Sequence, residues 1–130
     1  MPQDTLTDAD KANIVRAMYQ AYVDKNQAAI EPLLADDFRF TSPLDNGIDR
    51  ATYFRRCWPN SEAIEQFDFV SLVVAGDQVF VTYVGHNHGG HRFRNTEVCT
   101  LRGAQAVAVE VYFGWSIPHR APVGSFVVDE

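Results

Sequence analysis

From Ile64 onward the sequence is built of four long β-branched and aromatic runs separated by three short turn signals. The runs are Ile64 to Val74, Val79 to His88, Phe93 to Arg102 and Val107 to Trp115. Ala75-Gly76-Asp77, Gly89-Gly90 and Gly103-Ala104-Gln105 separate them. Connections this short join strands that run antiparallel, and glycine supplies the backbone freedom of a hairpin turn. The pattern predicts an antiparallel meander.

The first third of the chain has a different period. Thr7-Asp8-Ala9-Asp10 has the spacing of a capping box, and Ile14, Met18, Ala21 and Tyr22 then recur on one helical face. Asn26 can cap a second helix carrying Ile30, Leu33 and Leu34, which Pro32 makes short or irregular because it lacks a backbone donor. Phe38 and Phe40 flank Arg39 in a short strand, Pro43 and Asp45-Asn46-Gly47 mark a turn, and Ala51 to Trp58 forms a third helix ended by Pro59. Helices followed by a meander make an α+β chain. At 130 residues it is read as one domain spanning 1–130.

Seventeen acidic against eleven basic residues leave a net charge of −6, which disfavours a nucleic-acid partner needing a basic face. Cys57 and Cys99 are too few for a disulfide framework and read as thiols of a reducing compartment. The polar, acidic start has no signal-peptide character, and no apolar run reaches the ~18 residues of a membrane span. The expected location is the cytoplasm, with no membrane partner.

A two-residue Gly89-Gly90 loop would set His86 opposite Phe93, Val84 opposite Asn95, Thr82 opposite Glu97 and Phe80 opposite Cys99. One face would then carry Phe80, Thr82, Glu97 and Cys99 together with Val109 and Val111. The other would carry Val79, Val81, Tyr83, Arg94, Thr96, Val98 and Thr100. Both faces are half apolar, so both need a cover. The helices supply one, and a second subunit burying Val81, Tyr83, Val98 and Tyr112 would supply the other. Glu97 among apolar neighbours should have a raised pKa and is a candidate acid–base group.

The order of elements, the phrase Leu34-Ala35-Asp36-Asp37-Phe38 and the ending Val111-Tyr112-Phe113-Gly114-Trp115 resemble the SnoaL-like and ketosteroid-isomerase-like proteins of the nuclear transport factor 2 superfamily over roughly residues 8–117. The resemblance implies a cone: a curved antiparallel sheet around a pocket, wrapped by three N-terminal helices, and usually a dimer. In ketosteroid isomerases a carboxylate base precedes a proline after the first short strand, where this chain has Ser42-Pro43. Met18 matches the oxyanion-hole tyrosine, with Tyr22 one turn later, and Trp58 falls near a supporting pocket tyrosine. Glu97 matches the protonated carboxylic acid of that site. With one of three parts retained, the resemblance does not extend to steroid isomerisation. The Asp-Arg-Asp set of limonene epoxide hydrolases has no counterpart, whereas the pocket acid–base group of SnoaL-type cyclases has candidates in His86, His88 and Glu97.

The histidines His86, His88 and His91 surround a hairpin tip, where they are expected in solvent without a metal. Cys99 reads as a small buried hydrophobe, and Arg55 and Arg56 as solvated. No Gly-x-Ser-x-Gly elbow and no phosphate loop is present. The expectation is a cone that binds a small, largely apolar molecule, with or without cofactor-free isomerase, cyclase or hydratase chemistry. The other reading is a non-catalytic binding or dimerisation module. Glu97, Tyr22 and His86 are the candidate catalytic residues. Met18, Phe40, Phe54, Trp58, Phe80, Thr82, Cys99, Val111, Phe113 and Trp115 are the candidate ligand contacts.

Overall fold

The computed structural model describes residues 6–118. The Pro-rich tail beyond Pro118 and the run Phe126-Val127-Val128 lie outside the described residues. The opening helix, α1 (Asp8–Asp24), starts at the expected capping box. The Thr7 hydroxyl accepts the Asp10 N–H at 3.0 Å, and the Asp10 carboxylate accepts the Thr7 N–H at 3.0 Å. Lys25, in the left-handed region at φ 55°, ends it. The helix buries Val15, Met18 and Tyr19. Asn26 caps the four-residue α2 (Gln27–Ile30), and Pro32 diverts the chain into a 3-10 turn over Glu31–Leu33. Asp49 accepts the Thr52 N–H at 2.9 Å and so starts α3 (Arg50–Arg56).

Six strands form one curved sheet: β1 (Leu34–Ser42), β2 (Asp45–Asp49), β3 (Ile64–Ala75), β4 (Gln78–Asn87), β5 (Arg92–Arg102) and β6 (Gln105–Ile117). Their spatial order is β2-β1-β6-β5-β4-β3. Two features correct the sequence reading. The phrase Asp45-Asn46-Gly47 is not the turn but most of β2, which pairs with β1 across a tighter Pro43-Leu44 connection. And β1 lies parallel to β6, with Phe40 beside Val109, so the sheet is mixed rather than wholly antiparallel.

The hairpin between β4 and β5 overturns the expected register. A two-residue turn needs a left-handed residue at its first position, and only Gly90, at φ 84°, is left-handed there. The Asn87 N–H donates to the His91 carbonyl at 2.9 Å and the Gly90 N–H to the Asn87 carbonyl at 3.0 Å, so the loop is His88-Gly89-Gly90. Val81 therefore stands opposite Glu97, and Thr82 opposite Thr96. One residue of slip exchanges the faces of β4. Val79, Val81 and Tyr83 point inward and are almost wholly buried, which removes Val81 and Tyr83 from the outer face where a partner was expected to cover them.

The core lies between α1, α3 and the inner face of the sheet. Phe38, Ile30, Leu34, Val15, Val79 and Val81 are its most deeply buried large side chains, each contributing about 1.5–3 kcal/mol of apolar burial. Gly85 takes part by absence. A Cβ there would come within 2.3 Å of the Phe93 ring, which packs flat over the glycine. The edge strand β3 breaks its ladder twice, at Glu65 and at Val70. Another bulge, at Gly114, shifts β6 against β5 between the pairs Asn95–Phe113 and Arg94–Trp115.

Candidate functional site

Between the inner face of the sheet and the helices lies a cavity of about 210 Å³. Its polar centre is Glu97 of β5, held between Val81 of β4 and Val111 of β6. The Tyr83 hydroxyl donates to the Glu97 Oε2 at 2.6 Å. The Asn95 amide donates to the Tyr83 oxygen at 3.3 Å, and its carbonyl accepts the Gly114 N–H at 3.2 Å. The bulge thus orients Asn95, Asn95 orients Tyr83, and Tyr83 faces the carboxylate.

Burial pushes the Glu97 carboxyl up from the usual range, and hydrogen bonds from Tyr83 and Tyr19 oppose that rise. Burial also lifts the phenols of Tyr19 and Tyr83 well above their ordinary range, reinforced by the Glu97 charge, so both remain donors. Tyr22 and Tyr53 share a short hydroxyl–hydroxyl hydrogen bond on the opposite wall, and burial raises both.

At the other end of the cavity the Asp45 carboxylate accepts from the Ser42 hydroxyl at 3.0 Å and meets the Arg56 guanidinium at 2.9 Å. The Cys57 thiol lies 3.7 Å from the same carboxylate and is pushed up to about 11, first by burial and then by the Asp45 charge. Cys99 is pushed up to about 12 by burial and by Glu97. A raised pKa keeps a thiol in its less nucleophilic form.

The expected site residues separate into three groups. Glu97, Tyr22, Met18, Phe40, Val111 and Phe113 line the cavity. Tyr22, however, bonds to Tyr53 and not to Glu97. Phe54, Trp58 and Cys99 are packed behind the wall; Trp58 meets Tyr22 edge-on at 4.7 Å between ring centres.

His86, Phe80, Thr82 and Trp115 are on the outer face, a correction with two causes. The register slip carries the three residues of β4 outward. There His86 Nε2 pairs with the Asp68 carboxylate at 2.7 Å, and Thr82 bonds Thr96 at 2.8 Å. The Gly114 bulge reverses β6, so Trp115 turns away from the cavity and the Arg94 guanidinium lies 6.0 Å from its ring centre. His88 lies by Glu65 and His91 stacks on Phe93. Among the described residues no three His, Cys, Asp or Glu gather as a metal site.

Sequence reasoning missed Tyr19, Tyr83, Asn95 and Asp45 as wall residues. Alternation along β4 would have found Tyr83 had the loop been read with three residues.

The family model of the SnoaL-like domain matches residues 15–110. The chain belongs to the SnoaL-like family. Solved structures agree with the SnoaL-like fold at low identity. A nuclear transport factor 2-like protein of unknown function from Cytophaga hutchinsonii is 18% identical, with 86% of this chain and 95% of that one covered and a TM-score of 0.65. A protein of ketosteroid-isomerase-like fold from Catenulispora acidiphila, solved in complex with trimethylamine, is 20% identical over 78% of this chain and 85% of that one, with a TM-score of 0.64. A de novo designed protein with a curved β-sheet reaches a TM-score of 0.73 at 12% identity, covering 84% of this SnoaL-like chain and 88% of the design. No curated protein matches the chain. Among the described residues no helix is long and apolar enough to cross a membrane.

Proposed function

We propose that this SnoaL-like chain binds a small, largely apolar molecule in the cavity and that Glu97 exchanges a proton with the polar group of that molecule. The observation that carries the reading is the Tyr83–Glu97 hydrogen bond of 2.6 Å inside an otherwise mostly apolar cavity. Burial raises the proton affinity of this carboxyl, the direction that suits a group exchanging protons with a bound molecule. When Glu97 takes a proton from a bound molecule, Tyr83 stays hydrogen-bonded to its other oxygen and holds the carboxyl plane in place. The reaction classes that need only this are isomerisation, cyclisation and hydration. The Catenulispora protein's complex with trimethylamine supports small-molecule binding within this fold.

A second reading, binding without chemistry, is favoured by Ser42. By the resemblance to ketosteroid isomerases it stands where their base would be, and its hydroxyl is already engaged with Asp45. The two readings part at Glu97→Gln, which keeps the shape and an acceptor for Tyr83 but cannot transfer a proton. With a ligand found by screening, catalysis predicts a rate loss of about 10²–10⁴-fold in that variant. Binding alone predicts no turnover by the unaltered chain.

The same proposal extends to assembly. Val73, Phe80, Tyr112 and Trp115 leave an exposed apolar surface on the outer face of the sheet, at 56%, 37%, 55% and 50% exposure. A second copy of the chain covering this face is the arrangement we propose, with these residues replacing the inward-facing Val81 and Tyr83.

A further inference from the structure

The cavity combines three properties that together define a class of ligand. Among the described residues eight aromatic side chains line it, including Tyr19, Tyr22, Tyr53, Phe67, Tyr83 and Phe93. Two carboxylates line it, Asp45 and Glu97. No Lys, Arg or His among the described residues does. The two carboxylates differ in one respect. Asp45 has Arg56 at 2.9 Å, a guanidinium that reaches it from the exposed side. Glu97 has no ion-pair partner among the described residues; its neighbours are phenols and aliphatic side chains.

A carboxylate partly withdrawn from water without a counter-ion is costly, and aromatic rings attract cations through their negative faces. An anion entering here would meet Glu97 with nothing to offset the repulsion. A neutral hydrocarbon would gain apolar contact but leave the carboxylate uncompensated. A protonated amine would supply the missing positive charge and place its alkyl groups against the rings. We infer that the cavity selects a small apolar amine in its ammonium form, with the N–H donating to the Glu97 carboxylate.

This rests on the proposed binding role of the cavity and names the chemistry of its ligand. It also gives the titration of Glu97 a consequence, because the ammonium pairs with the ionised carboxylate. The groups facing that carboxylate are the phenols of Tyr19 and Tyr83 through hydrogen bonds and, through space, Tyr22, Tyr53 and the Cys99 thiol. All are neutral below pH 9, so Glu97 is the one member of this group that changes charge in that range; Asp45, the cavity's second carboxylate, stands beside Arg56.

The test uses three probes of similar size: N,N-dimethylbenzylamine, its neutral analogue isobutylbenzene, and phenylacetate. Each is titrated at pH 7.5 into the ¹⁵N-labelled full chain and followed by amide chemical shifts around Glu97. The amine is expected to bind about tenfold or more tightly than isobutylbenzene, as for an ion pair reinforced by aromatic faces, and phenylacetate weakest. Glu97→Gln is expected to bring the amine and hydrocarbon affinities together. On the unaltered chain, lowering the pH through the Glu97 titration should weaken the amine and leave isobutylbenzene bound as tightly or more tightly, an arm that does not depend on the variant folding. Equal affinities for amine and hydrocarbon, or an amine preference that survives both Glu97→Gln and acid, would overturn the inference while leaving the binding role intact. Failure of all three probes to shift the cavity amides would overturn the binding role and the inference with it.

Discussion

The Tyr83 hydroxyl donates to Glu97 from the neighbouring strand, one inward position along from the residue directly opposite. The bond is therefore diagonal across the β4–β5 pair. It exists only in the register set by a three-residue His88-Gly89-Gly90 loop, because any one-residue slip would turn Tyr83 out of the cavity.

Removing that hydroxyl should be felt at Glu97 before anywhere else. Tyr83→Phe is expected to destabilise the fold by about 1.5–3 kcal/mol at neutral pH, the usual range for a hydrogen bond to a charged group. It should also move the Glu97 titration further upward, because a donor to the ionised form is lost. Carboxyl NMR of Glu97 and chemical denaturation of the variant check both parts, and an unmoved Glu97 would mean that Tyr83 does not govern it.

The pH dependence of stability has a definite sign at Glu97. Its folded pKa lies above the unfolded value of ~4.3, so the folded state holds the proton more tightly. The unfavourable contribution is absent below the unfolded pKa and grows as pH rises to the folded one. Glu97→Gln should accordingly gain stability relative to the unaltered chain at pH 7.5, with the gain fading near pH 4. Paired denaturation curves at the two pH values measure it; a gain that is larger in acid would contradict the raised pKa.

Gly114 has no room for a side chain. A Cβ would stand 2.1 Å from the Arg94 carbonyl oxygen, a backbone atom that cannot swing aside. Gly114→Ala should cost about 1–3 kcal/mol, as overpacked positions do. It should also release the Asn95 contact to the Gly114 N–H, visible as loss of protection of that amide in hydrogen exchange. A variant as stable as the parent would show that the bulge yields more easily than its geometry implies.

The assembly can be read directly. If a second copy covers the outer face, sedimentation velocity should give a dimer at micromolar concentration and Phe80→Glu a monomer of unchanged circular dichroism. A monomeric parent chain would remove the proposal.

How much of this was legible in the sequence depended on the range of the interaction. The α1 start was legible because Thr7 and Asp10 satisfy each other three residues apart. The inward position of Glu97 beside Val111 agrees with the sequence reading because a bulge at Val107 offsets the two-residue Gly103-Ala104 turn and returns Glu97, Cys99, Val109 and Val111 to one face. The side on which Tyr83 falls was not, since it turns on a single backbone angle, at Gly90. The parallel pairing of β1 with β6 leaves no local trace at all, because its partners are some seventy residues apart, as Phe40 and Val109 are. Asp45 escaped notice for a local reason: Asp45-Asn46-Gly47 has turn-forming composition, yet it opens β2, which folds back on β1 and brings Asp45 to the cavity.

The interruptions of β3 at Glu65 and Val70 have an effect beyond the single molecule. An open sheet ends in strands whose outer N–H and C=O groups are unpaired, and a straight twelve-residue edge would template the strand of any passing chain. Two breaks in the ladder bend this edge out of line, and Glu65 and Asp68 put like charges along it. At the opposite end β2 offers only five residues. The irregularities that curve the sheet around its cavity thus also keep it from growing, strand by strand, into an aggregate.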